Sequence, residues 1–414
     1  MTEYNVKIKM FRARHGDAFL ICCSKGTKLV NILVDAGPED VYDNEIKSEL
    51  LEMKERGEVL DLLVVTHIDD DHIGGVIRLL EDNGSAENPI IIAIKEIWHN
   101  TYRHMHQELP TVTLTDKEQQ MIIGFTKRWK SACKIMPLGK HQVSARQGSS
   151  LGALILKGGY PWNKAADGKA ITTQALTTFQ IADFVRLKLL SPNTEQLDNL
   201  MNYWRRELQK SGFKTDRPAD PSFDDAYEYF LLAVEEERKR RGKQEISFSQ
   251  PQWDSLKDEY IDEDSSCKNG SSIAFVLECG SKRLLFAADA FPSVIAQGID
   301  RVYKEEPLPR MMDLIKVSHH GSKHNISSGL LQAVDAPLYL ISTNGEKHGH
   351  PDLDTLIKIV DQPQRYQRTL IFNYETDASR YLEANAEKKD LLNYKIEYNP
   401  SEIDLNKWVN LKNE

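Results

Sequence analysis

The sequence predicts a sheet-rich α/β sandwich whose strands end at a shared metal-binding rim. Three observations carry that prediction. Short apolar runs recur along the chain and stop at turn residues, as buried strands do. One of them, residues 62–65, runs into Thr66-His67-Ile68-Asp69-Asp70-Asp71-His72-Ile73-Gly74-Gly75, which packs two imidazoles and three carboxylates into six residues. Other runs finish in the same residue types, at Asp35, His99, Asp289 and His319-His320.

From the N-terminus, residues 6–12 alternate apolar and charged side chains, the pattern of a half-exposed strand. His15-Gly16-Asp17 makes a turn, 18–23 a second strand and 29–34 a third, which stops at Asp35-Ala36-Gly37-Pro38. Residues 42–56 read as a helix, 62–65 as a strand, and 76–81 as a helix opened by Gly74-Gly75. Residues 90–98 read as a strong strand ending at His99-Asn100, and 101–150 as helix and loop with His104 and His106 on a helix surface. A turn cluster at 158–163 precedes a strand at 184–190 and an amphipathic helix at 196–212. From 214 to 265 the chain is highly charged, including Glu235-Glu236-Glu237-Arg238-Lys239-Arg240-Arg241-Gly242-Lys243. Such a run reads as part helix and part solvated loop. One domain over 1–414 is expected, with 200–265 inserted in it. Strands return at 271–278, 283–289, 314–318 and 338–342, with edge strands at 369–374 and 395–399.

A chain of 414 residues can bury a large core, and 40% hydrophobic with 28% charged residues is ordinary for a globular enzyme. The net charge of −9 argues against loose, non-specific binding to nucleic acid. No run reaches the length of a membrane span, so no membrane partner is expected. The opening residues lack the basic start and apolar stretch of a signal peptide. Cys22, Cys23, Cys133, Cys267 and Cys279 form no C-x-x-C pair, so a reducing cytoplasm is expected. Cys22 and Cys23 read as core strand residues.

The charge at 67–72 would be repulsive unless a cation sat there, because unpaired buried carboxylates are costly. In an extended segment residues i and i+2 face the same way. His67 and Asp69 can therefore grip one ion, while Asp71 and His72 turn toward a neighbouring one. Imidazole and carboxylate donors suit zinc, manganese or iron. An acidic helix N-cap would account for one aspartate but for neither histidine.

These residues resemble the metallo-β-lactamase superfamily, an αββα four-layer sandwich with its metal site along one edge. The usual HxHxDH signature stands here as His67-x-Asp69-x-Asp71-His72. That variant, together with Gly-Asp-Ala-Phe-Leu-Ile at 16–21, Ser-Ser-Ile-Ala-Phe at 271–275 and His-His-Gly-Ser at 319–322, resembles the ComEC-like branch. That branch includes nuclease-like domains of DNA-uptake proteins and stand-alone hydrolases, some in phage-defence operons. The resemblance implies one metal on His67, Asp69 and His99, and a second on Asp71, His72 and one of His319 and His320. Asp289 would bridge the two ions, and Asp35 would orient ligands from beneath. Ala288 stands where a Gly is usual. His99 reads equally as a structural histidine beside Trp98. His350 either contacts a phosphoryl oxygen or donates a proton to a leaving group, or is a plain turn histidine before Pro351. Asp17 either faces the site or stabilises its turn.

Two divalent ions, Zn2+ or Mn2+, about 3.5–4 Å apart would acidify a water between them and polarise the bond being cut. Asp71 is the candidate to orient or deprotonate that water. No covalent nucleophile is expected, neither a serine in a G-x-S-x-G pattern nor a cysteine beside a histidine. The ComEC-like features favour a phosphodiester substrate, nucleic acid or nucleotide, with Lys127-Arg128-Trp129-Lys130 and Arg205-Arg206 as basic clusters that could line its path. A carboxylic ester, lactone or thioester is the enzymatic alternative. A non-catalytic metal-binding subunit, meeting a protein partner through 200–265, is the other class.

Overall fold

The structure, a computed structural model, describes residues 4–105, 115–135, 150–210, 212, 223–232, 253, 256, 261–347, 349–364 and 366–409. Its core is two facing sheets. The first has the strand order Ile403–Asp404, Tyr4–Met10, Phe19–Lys25, Lys28–Val34, Leu62–Val64, Ile97–Trp98. The second runs Tyr394–Tyr398, Arg368–Phe372, Leu338–Ile341, Leu314–Lys316, Lys282–Phe286, Ala274–Cys279, Val185–Ser191, Thr178–Ala182. Hairpin strands pair antiparallel. Lys28–Val34 and Leu62–Val64 pair in parallel, as do the four strands from Lys282–Phe286 to Arg368–Phe372. Within each sheet those carboxyl ends share an edge, and that edge carries the site.

Successive side chains on a strand point to opposite faces, so an unbroken apolar run belongs in a strand covered on both sides. Leu62 and Val64 join Val6, Ile8, Phe19, Phe275, Leu284 and Leu340 between the sheets. Leu63 and Val65, one residue out of phase, pack outward against Leu50, Val76 and Ile155 of the covering helices. In the second sheet Val276, Leu285, Ile315 and Tyr339 likewise meet Ile295, Ile299, Leu356 and Ile357 on the far side. Three apolar layers between helix, sheet, sheet and helix make the αββα sandwich.

Several expectations need correction. The strand expected at 90–98 is reduced to Ile97–Trp98. Asn83 explains this: its side-chain carbonyl takes the Ile91 and Ile92 amides at 2.8 and 2.9 Å, bonds that a strand neighbour would otherwise supply. The helix expected at 76–81 spans Asp70–Asn83, which puts Asp71 and His72 in its first turn. The helix expected from 42 begins at Glu39 and contains a π-helical turn, Tyr42–Ile46. Of the two strands expected at an edge, Arg368–Phe372 is interior, wholly buried between two parallel neighbours, and Tyr394–Tyr398 is an edge. His104 is buried against Trp162, ring centroids 4.5 Å apart, and His106 lies outside the described residues. Within 200–265, Trp204, Phe223, Tyr227 and Phe230 pack with Tyr102, Phe125 and Trp129 in the helical layer, while 235–243 lies outside the described residues. Among the described residues no helix is long and apolar enough to cross a membrane.

Hydrogen bonds tie the two sheets together at the rim. The Ile273 amide donates to the Thr66 carbonyl at 2.9 Å, and the Ser342 hydroxyl to the Gly16 carbonyl at 2.7 Å. Gly16 and Gly75 allow the close approaches: a Cβ would lie 2.0 Å from the Asp71 carbonyl oxygen at the first and 2.1 Å from that of Ala36 at the second.

Candidate metal centre

Four histidines come to this rim with the same orientation. His72 Nδ1 is 2.8 Å from Asp35 Oδ2, and His320 Nδ1 is 2.7 Å from the Ser342 carbonyl. His319 Nδ1 is 2.9 Å from Asn325 Oδ1. His67 Nδ1 meets Thr66 Oγ1 at 3.1 Å, and that hydroxyl donates to Asp35 Oδ2 at 2.8 Å. Each Nδ1–H is therefore committed to the protein, which leaves each Nε2 as a lone-pair donor. One buried carboxylate, Asp35, sets two of the four rings, in the place expected beneath the site. Its φ of +55° turns the chain there.

Asp289 stands at the centre. Its Oδ2 is 3.6 Å from His67 Nε2, 3.7 Å from His72 Nε2 and 3.6 Å from His319 Nε2. His72, His320, Asp289 and Asp17 each offer one ligand atom, all within 4.8 Å of one another. His67 Nε2, His72 Nε2 and Asp289 Oδ1 are buried and make no hydrogen bond. Buried polar atoms are rarely left so, and a divalent cation would satisfy them. These donors fit zinc or manganese. Burial works to lower the His319 pKa, but the charges of Asp289 and Asp264 overrule it and lift it to about 10. His72 is likewise raised, against burial, by Asp289 and Asp35. Without an ion, then, protons take its place.

The other expected residues divide. Asp17, open between two readings, faces the site: one oxygen lies 3.4 Å from His320 Nδ1 and the other pairs with the buried Lys316. Asp71 sits in the first helical turn with Lys347 Nζ 3.6 Å from its carboxylate. His350 stands beside His319, centroids 5.5 Å apart, with Nδ1 3.3 Å from Asp352. Asp69 is 3.6 Å from His67 Nε2 and pairs directly with Lys268. The structure does not bring His99 to this group. Its Nε2 is 3.1 Å from Glu228 Oε1 and its ring stacks on Trp162.

Lys268, Lys316 and Thr66 went unforeseen. Lys316 left a signal: a lone cation in the apolar run Leu314-Ile315-Lys316-Val317 demands a buried anion. The expected absence of a G-x-S-x-G pattern is corrected: Gly148-Ser149-Ser150-Leu151-Gly152 has that spacing of a serine nucleophile. Ser150 instead caps the helix Leu151–Gly158, accepting from the Ala153 amide and donating to Asp225.

Among curated proteins no match to this chain is found. The family match ends before Asp289, His319 and His320, so their place in the site rests on the geometry above. Residues 12–103, which carry Asp35 and the 67–72 motif, match the family model of the Metallo-beta-lactamase superfamily, whose α/β sandwich is the fold seen here.

Proposed function

We propose that the chain is a metal-dependent hydrolase of phosphodiesters, a nuclease or nucleotide phosphodiesterase. The observation that carries the hydrolase reading is the ring of imidazole Nε2 atoms around Asp289, each with its Nδ1 already engaged. A divalent cation at such a centre, Zn2+ or Mn2+, polarises the scissile group and acidifies water. The chain's own residues do the rest. Asp35 and Thr66 hold His72 and His67 in the ligating tautomer. Asp71, at the N-terminus of its helix, orients the attacking water and accepts its proton. Burial lowers the His350 pKa despite Asp352, so its ring is neutral near pH 7. A neutral ring donates one N–H, which suits it to hold a phosphoryl oxygen rather than to protonate a leaving group.

The phosphodiester assignment is supported by the ComEC-like motifs at 67–72 and 319–322 and by Lys347, a partly exposed ammonium beside Asp71. The same motifs are compatible with a role in phage defence. Hydrolysis of bis-p-nitrophenyl phosphate tests the reading. Turnover should appear with Mn2+ or Zn2+, vanish with EDTA, and fall on the order of 10²–10³-fold in Asp289→Ala. Turnover of p-nitrophenyl acetate alone would move the substrate to a carboxylic ester. Bound metal without turnover of either ester would favour a binding subunit.

A further inference from the structure

We propose that the Lys268 ammonium occupies the place of a second divalent cation, so that the chain holds a single metal ion, at Asp289. The inference rests on the metal-dependent reading above and concerns the number of ions. It stands on three features of the rim.

First, Asp69 is already neutralised. One carboxylate oxygen pairs with Lys268 Nζ and the other lies 3.6 Å from His67 Nε2. The lysine is no surface side chain folded in by chance, being 4% exposed. Its ammonium also donates to the Leu231 carbonyl at 3.3 Å, and its own carbonyl accepts from Ser271 Oγ at 2.6 Å and the Ser271 amide at 2.9 Å. Second, the remaining ligand expected for that ion is committed elsewhere, since His99 pairs with Glu228 behind Trp162.

Third, the charges follow one pattern. Asp17 has Lys316, Asp69 has Lys268 and Asp71 has Lys347, whereas Asp289 faces imidazoles. Asp264 also reaches this rim, 3.6 Å from His319 Nδ1, and is engaged by Asn269 and the Ser266 amide. A second ion at Asp69 would stand beside the buried Lys268 ammonium, where uncompensated like charge is strongly unfavourable. Lys268 therefore supplies, as a fixed part of the chain, the positive charge that a second cation would bring.

The full-length chain, stripped with EDTA, reloaded with MnCl2 and desalted, tests this by metal analysis and EPR. Wild type should carry one Mn2+ per chain with an uncoupled spectrum. Lys268→Ala should rise to two with a spin-coupled spectrum, and Lys268→Arg should stay at one. Two ions or a coupled spectrum in wild type would overturn the proposal. So would a Lys268→Ala protein that melts cooperatively yet still holds one ion. If that variant does not fold, the wild-type count and spectrum decide. No bound metal in wild type would instead overturn the metal-dependent reading itself.

Discussion

His72 and His99 begin from the same circumstances and reach opposite ends. Both follow a strand of the first sheet, His72 in the first turn of the helix after Leu62–Val64 and His99 directly after Ile97–Trp98; both are fully buried, and each has one carboxylate that holds a ring nitrogen. The difference lies in which nitrogen is held. Asp35 takes His72 Nδ1 and leaves Nε2 facing Asp289 across 3.7 Å. Glu228 takes His99 Nε2, away from Asp289, and Trp162 stacks on the ring. A histidine at a strand end thus becomes a ligand or a strut according to the partner that reaches it. Asp35 is supplied by the neighbouring strand, while Glu228 lies 129 residues further along the chain, on a covering helix.

Alanine at each position should separate the two roles most widely. His99→Ala leaves the buried Glu228 with the Gly152 amide but without the imidazole, a change expected to destabilise the fold by about 1–3 kcal/mol. It should leave metal content at the wild-type value. His72→Ala should do the reverse, abolishing metal binding while disturbing the melting temperature of the EDTA-treated protein less. Denaturant unfolding beside metal analysis reads both effects, and metal loss in His99→Ala would show that it acts as a ligand after all.

Asp35→Asn sharpens the comparison from beneath. The amide keeps the shape but not the charge, so metal affinity should fall about 10–100-fold. Unchanged affinity by competition with a chromogenic chelator would mean that His72 does not depend on Asp35 for its tautomer.

Acidity distinguishes the two regions again. In the ion-free protein the folded His319 pKa, about 10, lies above the ordinary value of 6.5. Its contribution to stability is therefore complete below about pH 6.5 and is lost as pH rises through about 10. The EDTA-treated protein should lose melting temperature across that window, whereas metal-loaded protein, with no proton there to lose, should show a flatter profile. Binding should also release protons, visible in calorimetry as heats that vary with the buffer's ionisation enthalpy. Parallel profiles with and without metal would count against His319 facing the ion.

The smallest expected effect concerns Ala288, whose φ of +48° lies in the left-handed region just before Asp289. A Cβ is unfavourable there by about 1–2 kcal/mol. Ala288→Gly should raise the unfolding midpoint correspondingly, less the entropy a glycine adds to the unfolded chain.

Much of this was legible in the sequence because burial and chemistry leave local marks. Residues 62–65 read as a strand because both faces are apolar, and 314–318 because the run is apolar but for Lys316 and Ser318; the residues after them announce themselves by type. Asp35, His67, His72, Asp289, His319 and His320 could be named on that basis. What could not be read were pairings made across the chain. Nothing near Asp69 signals Lys268, 199 residues away. Nothing in the apolar run at 90–98 shows that the Asn83 side chain will take the Ile91 and Ile92 amides. The aromatic residues of 200–232 were obscured by the charged stretch that follows them.

Anomalous diffraction from crystals soaked in MnCl2 tests the central claim most directly. One peak should appear within coordinating distance of His72 Nε2, His320 and Asp289, with none beside Asp69. A peak at His99 and Glu228, or no peak near Asp289, would contradict the assignment of this rim as a metal centre.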